Sequence, residues 1–377
     1  MSIRIIHTAD LHFGAELKTL ESKASDLQEN KFKSFENLIN YCTDSNNEID
    51  MLLISGDLFD SHNPENRIKE RVIEKLYYVV KRGIKLFLLP GNHDSFGYKN
   101  SIYKTENLPG VIIKNPHFGI VEEFELKGAK VAVYGGVFMP GSGTERMLAG
   151  FKVSNPDIIN IGLLHGTLEM RNINVRDRDL PFSYEEFAGT GLNYLALGHF
   201  HSYKDIEIDK KHKAAYSGSL LPCKVDEYGE KYALKVDIKV SGEVQIETLK
   251  FSNIIADYKE IDILNEDIDS NEKLIENISK FSDKNRIETV VVKGVSNFPI
   301  SEDEILSKLE NKFFKLFIKD KTRYIDNSII KQIKEEGTVR GLYFKKLVDK
   351  YNETQNQEQR AIIEKAISLG LQEFVKQ

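Results

Sequence analysis

Short apolar runs alternate with amphipathic stretches over the first 220 or so residues, and several of the runs stop in the same way. Arg4 to Ala9 reads as a strand and is followed at once by Asp10-Leu11-His12. Phe32, Phe35, Leu38, Ile39 and Cys42 then recur at helical spacing. Asp50 to Ser55 predicts a second, buried strand ending in Gly56-Asp57-Leu58-Phe59-Asp60. Pro64 opens a helix with Val72, Ile73, Leu76, Val79 and Val80 on its apolar face. Ile84 to Pro90 is a third strand, ending in Gly91-Asn92-His93-Asp94, and Lys130 to Tyr134 is a fourth. Ile158 to Leu164 is a fifth and delivers His165-Gly166; Leu192 to Leu197 is a sixth and delivers Gly198-His199-Phe200-His201. Ala214 to Ser219 follows as a seventh.

Strands alternating with helices predict an α/β layered fold, in which ligands gather at the carboxyl ends of strands. Five strands here end in clusters drawn from Asp, Asn and His, so the clusters are expected to meet. Beyond about Ser252 the clusters cease. Ile255 to Leu264, Thr289 to Val295 and Phe313 to Ile318 read as strands, with helices around Leu274 to Phe281 and from Ser301 to Leu309. The second helix opens on Ser301-Glu302-Asp303-Glu304, the pattern of a capping box. From Asp326 the chain reads as helical, broken by a polar linker at 352–358, with Ile363, Ile367, Leu371 and Phe374 on one stripe. The expected division is 1–253, 254–322 and 323–377: a site-bearing domain, a small α/β domain and a helical C-terminal segment.

Composition narrows the function classes. Hydrophobic residues at 41% and charged residues at 29% are ordinary for a globular protein, and no apolar run approaches a membrane span. The first residues enter a strand pattern directly, without the look of a signal peptide, and Cys42 and Cys223 form neither a CxxC pair nor a disulfide framework. A cytoplasmic protein with reduced thiols is expected. A net charge of −6 argues against gripping nucleic acid through bulk positive charge.

The clusters supply Asp10, His12, Asp57, Asn92, His165, His199 and His201, with His93 beside them. Nitrogen and oxygen donors without a thiolate suit a pair of divalent ions such as Mn²⁺, Fe²⁺ or Zn²⁺, with Mn²⁺ the first expectation. One carboxylate must bridge such a pair, and Asp57, just after a glycine at a strand end, is the candidate. His93 is then free to act on a phosphate oxygen or a leaving alkoxide, with Asp94 orienting its ring. His62 in the loop after Asp60, and Arg171, Arg176 and Arg178 after the His165 strand, are candidates for holding substrate.

Asp10-x-His12, Gly56-Asp57-x-x-Asp60, Gly91-Asn92-His93-Asp94, His165-Gly166 and Gly198-His199-x-His201 together resemble the five signatures of the calcineurin-like metallophosphoesterases, in the family's order. The resemblance implies a β-sandwich flanked by helices, with a small α/β capping domain and a C-terminal helical segment. It implies one metal on Asp10, His12, Asp57 and His201, a second on Asp57, Asn92, His165 and His199, and His93 as the catalytic histidine. Asp94 after Asn92-His93, the opening His7-Thr8-Ala9-Asp10-Leu11-His12 and Tyr216-Ser217-Gly218-Ser219 are similar to the DNA-repair exonuclease branch, the SbcD and YhaO type. Asp60, where eukaryotic and archaeal relatives often carry His, makes the bacterial members the nearer match. That branch implies exonucleolytic cleavage of duplex ends, and endonucleolytic cleavage of single strands, by a homodimer working with an SMC-like coiled-coil ATPase. The alternative is a phosphatase or cyclic-nucleotide phosphodiesterase on the same dinuclear centre, for which the domain after Ser252 has no evident use.

Overall fold

Met51–Ser55 is buried at every position, and a run apolar on both faces must sit inside a sheet rather than at its edge. It forms strand β2, between β1 (Ser2–Thr8) and β3 (Lys85–Leu89), with β4 (Val111–Ile112) beyond; all are parallel. The computed structural model describes residues 2–141, 145–170, 179–263, 266, 268–296, 298–324, 335–356, 358–360, 362, 363, 366, 367 and 370. They fall into two compact units, Met1–Ile255 and Ala256–Gln377.

The first unit is a sandwich of two six-stranded sheets. One runs β14-β13-β1-β2-β3-β4, where β13 (Ala233–Lys239) and β14 (Val244–Leu249) are antiparallel additions. The other runs β11-β12-β10-β7-β6-β5. Its inner strands β6 (Ala129–Gly136), β7 (Ile159–His165), β10 (Tyr194–Gly198) and β12 (Lys213–Tyr216) are parallel. Its edges β5 (Gly119–Leu126) and β11 (Lys204–Glu207) are antiparallel. A two-stranded ribbon, β8 (Thr167–Leu168) with β9 (Pro181–Phe182), follows His165.

Alternation sends Ile3, Ile5, Leu53, Phe87 and Leu89 of the first sheet against Val131, Val133, Ile161, Leu163 and Ala196 of the second. Burying each large aliphatic side chain in this layer contributes about 1.5–3 kcal/mol. Helix α1 (Ala24–Thr43) packs against α2 (Asn66–Lys81), which lies on β3; α3 is the short turn Ile102–Thr105. Phe187 of α4 (Tyr184–Thr190) joins Leu164, Leu195 and Leu197 on the outer face of the second sheet. The parallel strands of both sheets therefore end at one edge of the sandwich, and the polar clusters are there.

The seven expected strands are present; the ribbon β8–β9 and five sheet strands, β4, β5, β11, β13 and β14, are additional. All five lie toward sheet edges, where one face meets water and the apolar signal thins; β5 reads Gly-Ile-Val-Glu-Glu-Phe-Glu-Leu and is half-exposed.

In the second unit β15 (Ile255–Asp262), β16 (Arg286–Ser296) and β17 (Lys315–Tyr324) form one sheet, with β16 in the middle. Helices α5 (Asn271–Ser279) and α6 (Glu302–Leu309) bury Leu274, Ile278, Ile305 and Leu309 against Val290 and Val292. Ser301 caps α6 by accepting from the Glu304 N–H (3.4 Å), but the Glu304 carboxylate pairs with Lys308 at 2.9 Å rather than closing the expected box. A complete box stands instead at Ser183 and Glu186 of α4. Phe344 of α7 (Val339–Glu353) is buried with Ile363 and Ile367, so these members of the C-terminal stripe pack within their own unit; Leu371 and Phe374 lie outside the described residues. Among the described residues no helix is long and apolar enough to cross a membrane.

Candidate metal centre

The strands β1, β2 and β10 leave their sheets sharply at the shared edge. Asp10, His12, Asp57 and His199 all have positive φ (54°, 44°, 50° and 104°), a conformation that costs a non-glycine residue of order 1–3 kcal/mol and that clusters at functional sites. The turns after β1 and β2 brace each other: Asp10 N–H donates to Gly56 O (3.1 Å) and His12 N–H to Asp57 O (3.0 Å). Two glycines are required by contact. A β-carbon on Gly91 would stand 2.1 Å from Asp57 Oδ1, and one on Gly198 would stand 1.9 Å from Ser55 O.

These turns bring together Asp10, His12 and His201 in one group, and Asp10, Asp57 and His165 in another, with the possible ligand atoms of each group within 4.8 Å. Asp10, Asp57, His12 and His165 are buried. Asp57 Oδ2 lies 3.6 Å from His12 Nε2 and 3.2 Å from His165 Nε2, so one carboxylate oxygen faces a histidine of each group. His12 and His201 point Nε2 at Nε2 across 3.2 Å. His199 stands apart: its ring is edge-on to His165 (centroids 5.3 Å), its Nε2 is 3.4 Å from Asp179 Oδ1, and its N–H donates to Asp10 Oδ1 at 3.0 Å. Asn92 precedes His93, whose N–H donates to Asp57 Oδ1 at 2.9 Å.

The arrangement fits divalent ions on the chemistry of the donors. Three imidazoles have their Nδ1 taken by an oxygen: His12 by Asp60 (3.0 Å), His165 by Ser55 O (3.0 Å) and His201 by Glu227 (2.6 Å). Neutral rings held this way present an unprotonated Nε2 inward. His165 Nε2 is buried with no hydrogen-bond partner, and the facing Nε2 atoms of His12 and His201 repel unless a cation sits between them. Without cations, protons fill the role. Burial pushes His165 down, yet Asp57 and Asp10 outweigh it and raise the ring to about 9. Burial likewise opposes His201, but Cys223, Glu227 and Asp10 raise it to about 11. Asp57 is held well below the ordinary carboxylate range by His165 and His12 in spite of its burial.

The His93 ring is half-exposed, edge-on to His12 (centroids 4.8 Å), with Nδ1 3.5 Å from Asp60 Oδ1 and 3.4 Å from Asp60 O. The hydrogen bond to Asp60 raises its pKa, with burial opposing and Asp57 adding to the rise. The carboxylate beside this ring is therefore Asp60. Asp94 is fully buried and accepts from Gly91 N–H (2.7 Å), Phe59 N–H (3.1 Å) and Tyr103 OH (2.8 Å), stapling the turns after β2 and β3. Burial and Asp57 push it up to about 6.

A supporting layer escaped the reading of the sequence. Two buried lysines hold the carbonyls of cluster histidines: Lys31 Nζ donates to His12 O (3.2 Å) and Lys231 Nζ to His201 O (2.8 Å). Glu227 accepts from Cys223 N–H (2.8 Å) with the oxygen not used by His201. Lys31 carries a readable signal, a charge on the apolar face of α1 between Leu27 and Phe35. His62 stacks on Tyr98, and His7 is a buried core histidine bonded to Tyr194 OH at 2.8 Å. Arg171, Arg176 and Arg178 lie outside the described residues.

Curated relatives of the chain are metallophosphoesterases and DNA repair proteins. The chain is 25% identical over 268 residues to the uncharacterized metallophosphoesterase YhaO of Bacillus subtilis, covering 69% of this chain and 63% of that protein. It is 25% identical to the DNA double-strand break repair protein Mre11 of Sulfurisphaera tokodaii, over 99% of this chain and 95% of that protein. The Mre11 of Sulfolobus acidocaldarius is 24% identical, over 82% of this chain and 79% of its own length. Residues 3–214 match the family described as calcineurin-like phosphoesterase, and the protein, a hydrolase by that membership, belongs to it.

Proposed function

We propose that this protein is a two-metal DNA nuclease acting in double-strand-break repair. The observation that carries the reading is the Asp57 carboxylate, shared between His12 and His165 at 3.6 and 3.2 Å. Asp10, His12, Asp57 and His201 would hold one divalent ion, and Asp57, Asn92, His165 and His199 the other, with Mn²⁺ the first candidate. Bound there, the ions supply positive charge for a phosphodiester and acidity for an attacking water. The chain supplies the rest. Asp60 takes the Nδ1 side of His93 and leaves Nε2 to carry a proton to the leaving alkoxide. Asp94 acts at one remove, fixing the turn that carries Asn92 and His93.

Mre11 relatives matched over 95% and 79% of their own length, described as double-strand break repair proteins, support DNA as the substrate. The expected activities are exonucleolytic on duplex ends and endonucleolytic on single strands, in a homodimer with an SMC-like ATPase. The exposed Val339, Leu342 and Ile362 of the second unit are where that partner would be sought. Incubating the Mn²⁺-loaded protein with labelled duplex and single-stranded DNA, and separately with an aryl phosphate monoester, tests the reading. DNA degradation that stops in Asp57→Ala and His93→Gln supports it. Turnover of the monoester with DNA left intact, even beside the ATPase, selects the phosphatase alternative.

A further inference from the structure

We propose that Tyr98, backed by His62, is a stacking platform for an unpaired nucleobase at the rim of the metal centre; this rests on the nuclease reading. His62 and Tyr98 lie nearly parallel, with ring centroids 4.1 Å apart and planes inclined by 25°. Tyr98 is 37% exposed although His62 is stacked on it, so the residue stays accessible from solvent. The pair is fixed from behind: Ile102 N–H donates to His62 O (2.7 Å) and Ser101 N–H to Tyr98 O (3.3 Å). A rigid ring already stacked on a neighbour offers its free face at little further entropic cost.

Its position ties the platform to the chemistry. His62 follows Asp60 by two residues, a span of at most about 7 Å of chain, and Tyr98 follows His93 by five. Asp60 and His93 touch each other beside His12, so the two turns that build the catalytic rim also carry the stack.

Charge favours a nucleotide over an apolar ligand. In a chain of net charge −6, residues 95–105 contain no acid, two lysines (Lys99 and Lys104) and, beside the buried Tyr103, two aromatic rings that reach the surface region (Phe96 and Tyr98). Lys104 Nζ stands 4.6 Å from the centre of the Phe96 ring, and Lys114 Nζ is 5.9 Å from the same ring. Rings interleaved with lysines are what a single strand needs: π-faces for bases and cations for the backbone. Every base has such a face, so the platform would accept unpaired nucleotides without reading sequence.

A single-stranded oligonucleotide with one 2-aminopurine, mixed with the full chain in Ca²⁺ and shown intact on a gel, reports stacking as quenched fluorescence. Wild type and Tyr98→Phe are expected to quench; Tyr98→Leu, which keeps bulk but not the π-face, should lose the quenching and bind about 5- to 150-fold more weakly. Quenching and affinity unchanged in the folded leucine variant would overturn the proposal. Photo-crosslinking of a 5-iodouracil strand to wild type provides a measurement without substitution, and adducts that map elsewhere than Tyr98 or His62 count against it. The outcomes separate the two readings. Cleavage of the strand at equal rates by wild type and the leucine variant removes only the platform, whereas hydrolysis of an aryl phosphodiester with no oligonucleotide bound or cut removes the nuclease reading as well.

Discussion

A methyl group at Gly91 has nowhere to go except into the Asp57 carboxylate. Gly91→Ala is therefore expected to displace the shared ligand and lower metal content and hydrolysis together, by tenfold or more, while the second unit keeps its own melting behaviour; metal analysis of the purified variant beside an activity assay checks this. Glu227→Ala frees Nδ1 of His201 and should weaken metal binding by about 10- to 100-fold, read by titration of the metal-free protein, with Glu227→Gln intermediate. The two residues differ in how visible they are in the chain. Gly91 sits inside a motif whose glycine, asparagine and histidine announce one another. Glu227 lies in Asp226-Glu227-Tyr228-Gly229, which reads as a surface turn, and only the fold carries it 26 residues back to His201. Asp60 is an intermediate case: it stands in a recognised motif, yet its service to both His12 and His93 depends on two turns meeting.

Elements show where strand periodicity stops being informative. Alternation predicts that His199 and His201 leave the sixth strand on one side. The strand ends at Gly198, however, and His199 turns to a φ of 104°, so it is the turn that sends one ring toward His165 and the other toward His12. The second unit holds a comparable exception. Glu288 is 1% exposed in the central strand β16, and burial, with Asp257 adding, raises its carboxyl to about 7 against the pull of Arg286 and Lys259. A folded pKa above the unfolded value means that the unfolded chain ionises first. Stability therefore falls as pH rises from about 4.5 to about 7 and is level beyond. Glu288→Gln should remove that slope, gaining on the order of 1–3 kcal/mol over wild type at pH 8 and little at pH 4. Denaturant melts at both pH values decide it, and a parallel offset at the two would count against the burial account.

For the whole molecule, net charge and site charge both work against holding a polyanion. The chain is acidic, and the centre concentrates carboxylates, so its grip on DNA without a partner is expected to be weak and to fall steeply between 50 and 200 mM salt. Nanomolar binding by the isolated chain in physiological salt would show that a basic face outweighs the total.

Each group of ligands draws on both sheets. Asp10, His12 and Asp57 hang from β1 and β2; His165, His199 and His201 hang from β7 and β10. Between the sheets the larger part of the contact is apolar side-chain packing, which is non-directional and tolerates sliding, joined by a few hydrogen bonds such as His7 to Tyr194 OH and His165 to Ser55 O. A cation held by both sheets is a non-covalent cross-link that pins one against the other. Chelation should then act as the cutting of a rivet: the melting temperature of the first unit drops by mass action, and amide exchange quickens together at the ends of β1, β2, β7 and β10. The strands β15 to β17, which share no ligand with the centre, serve as the internal control.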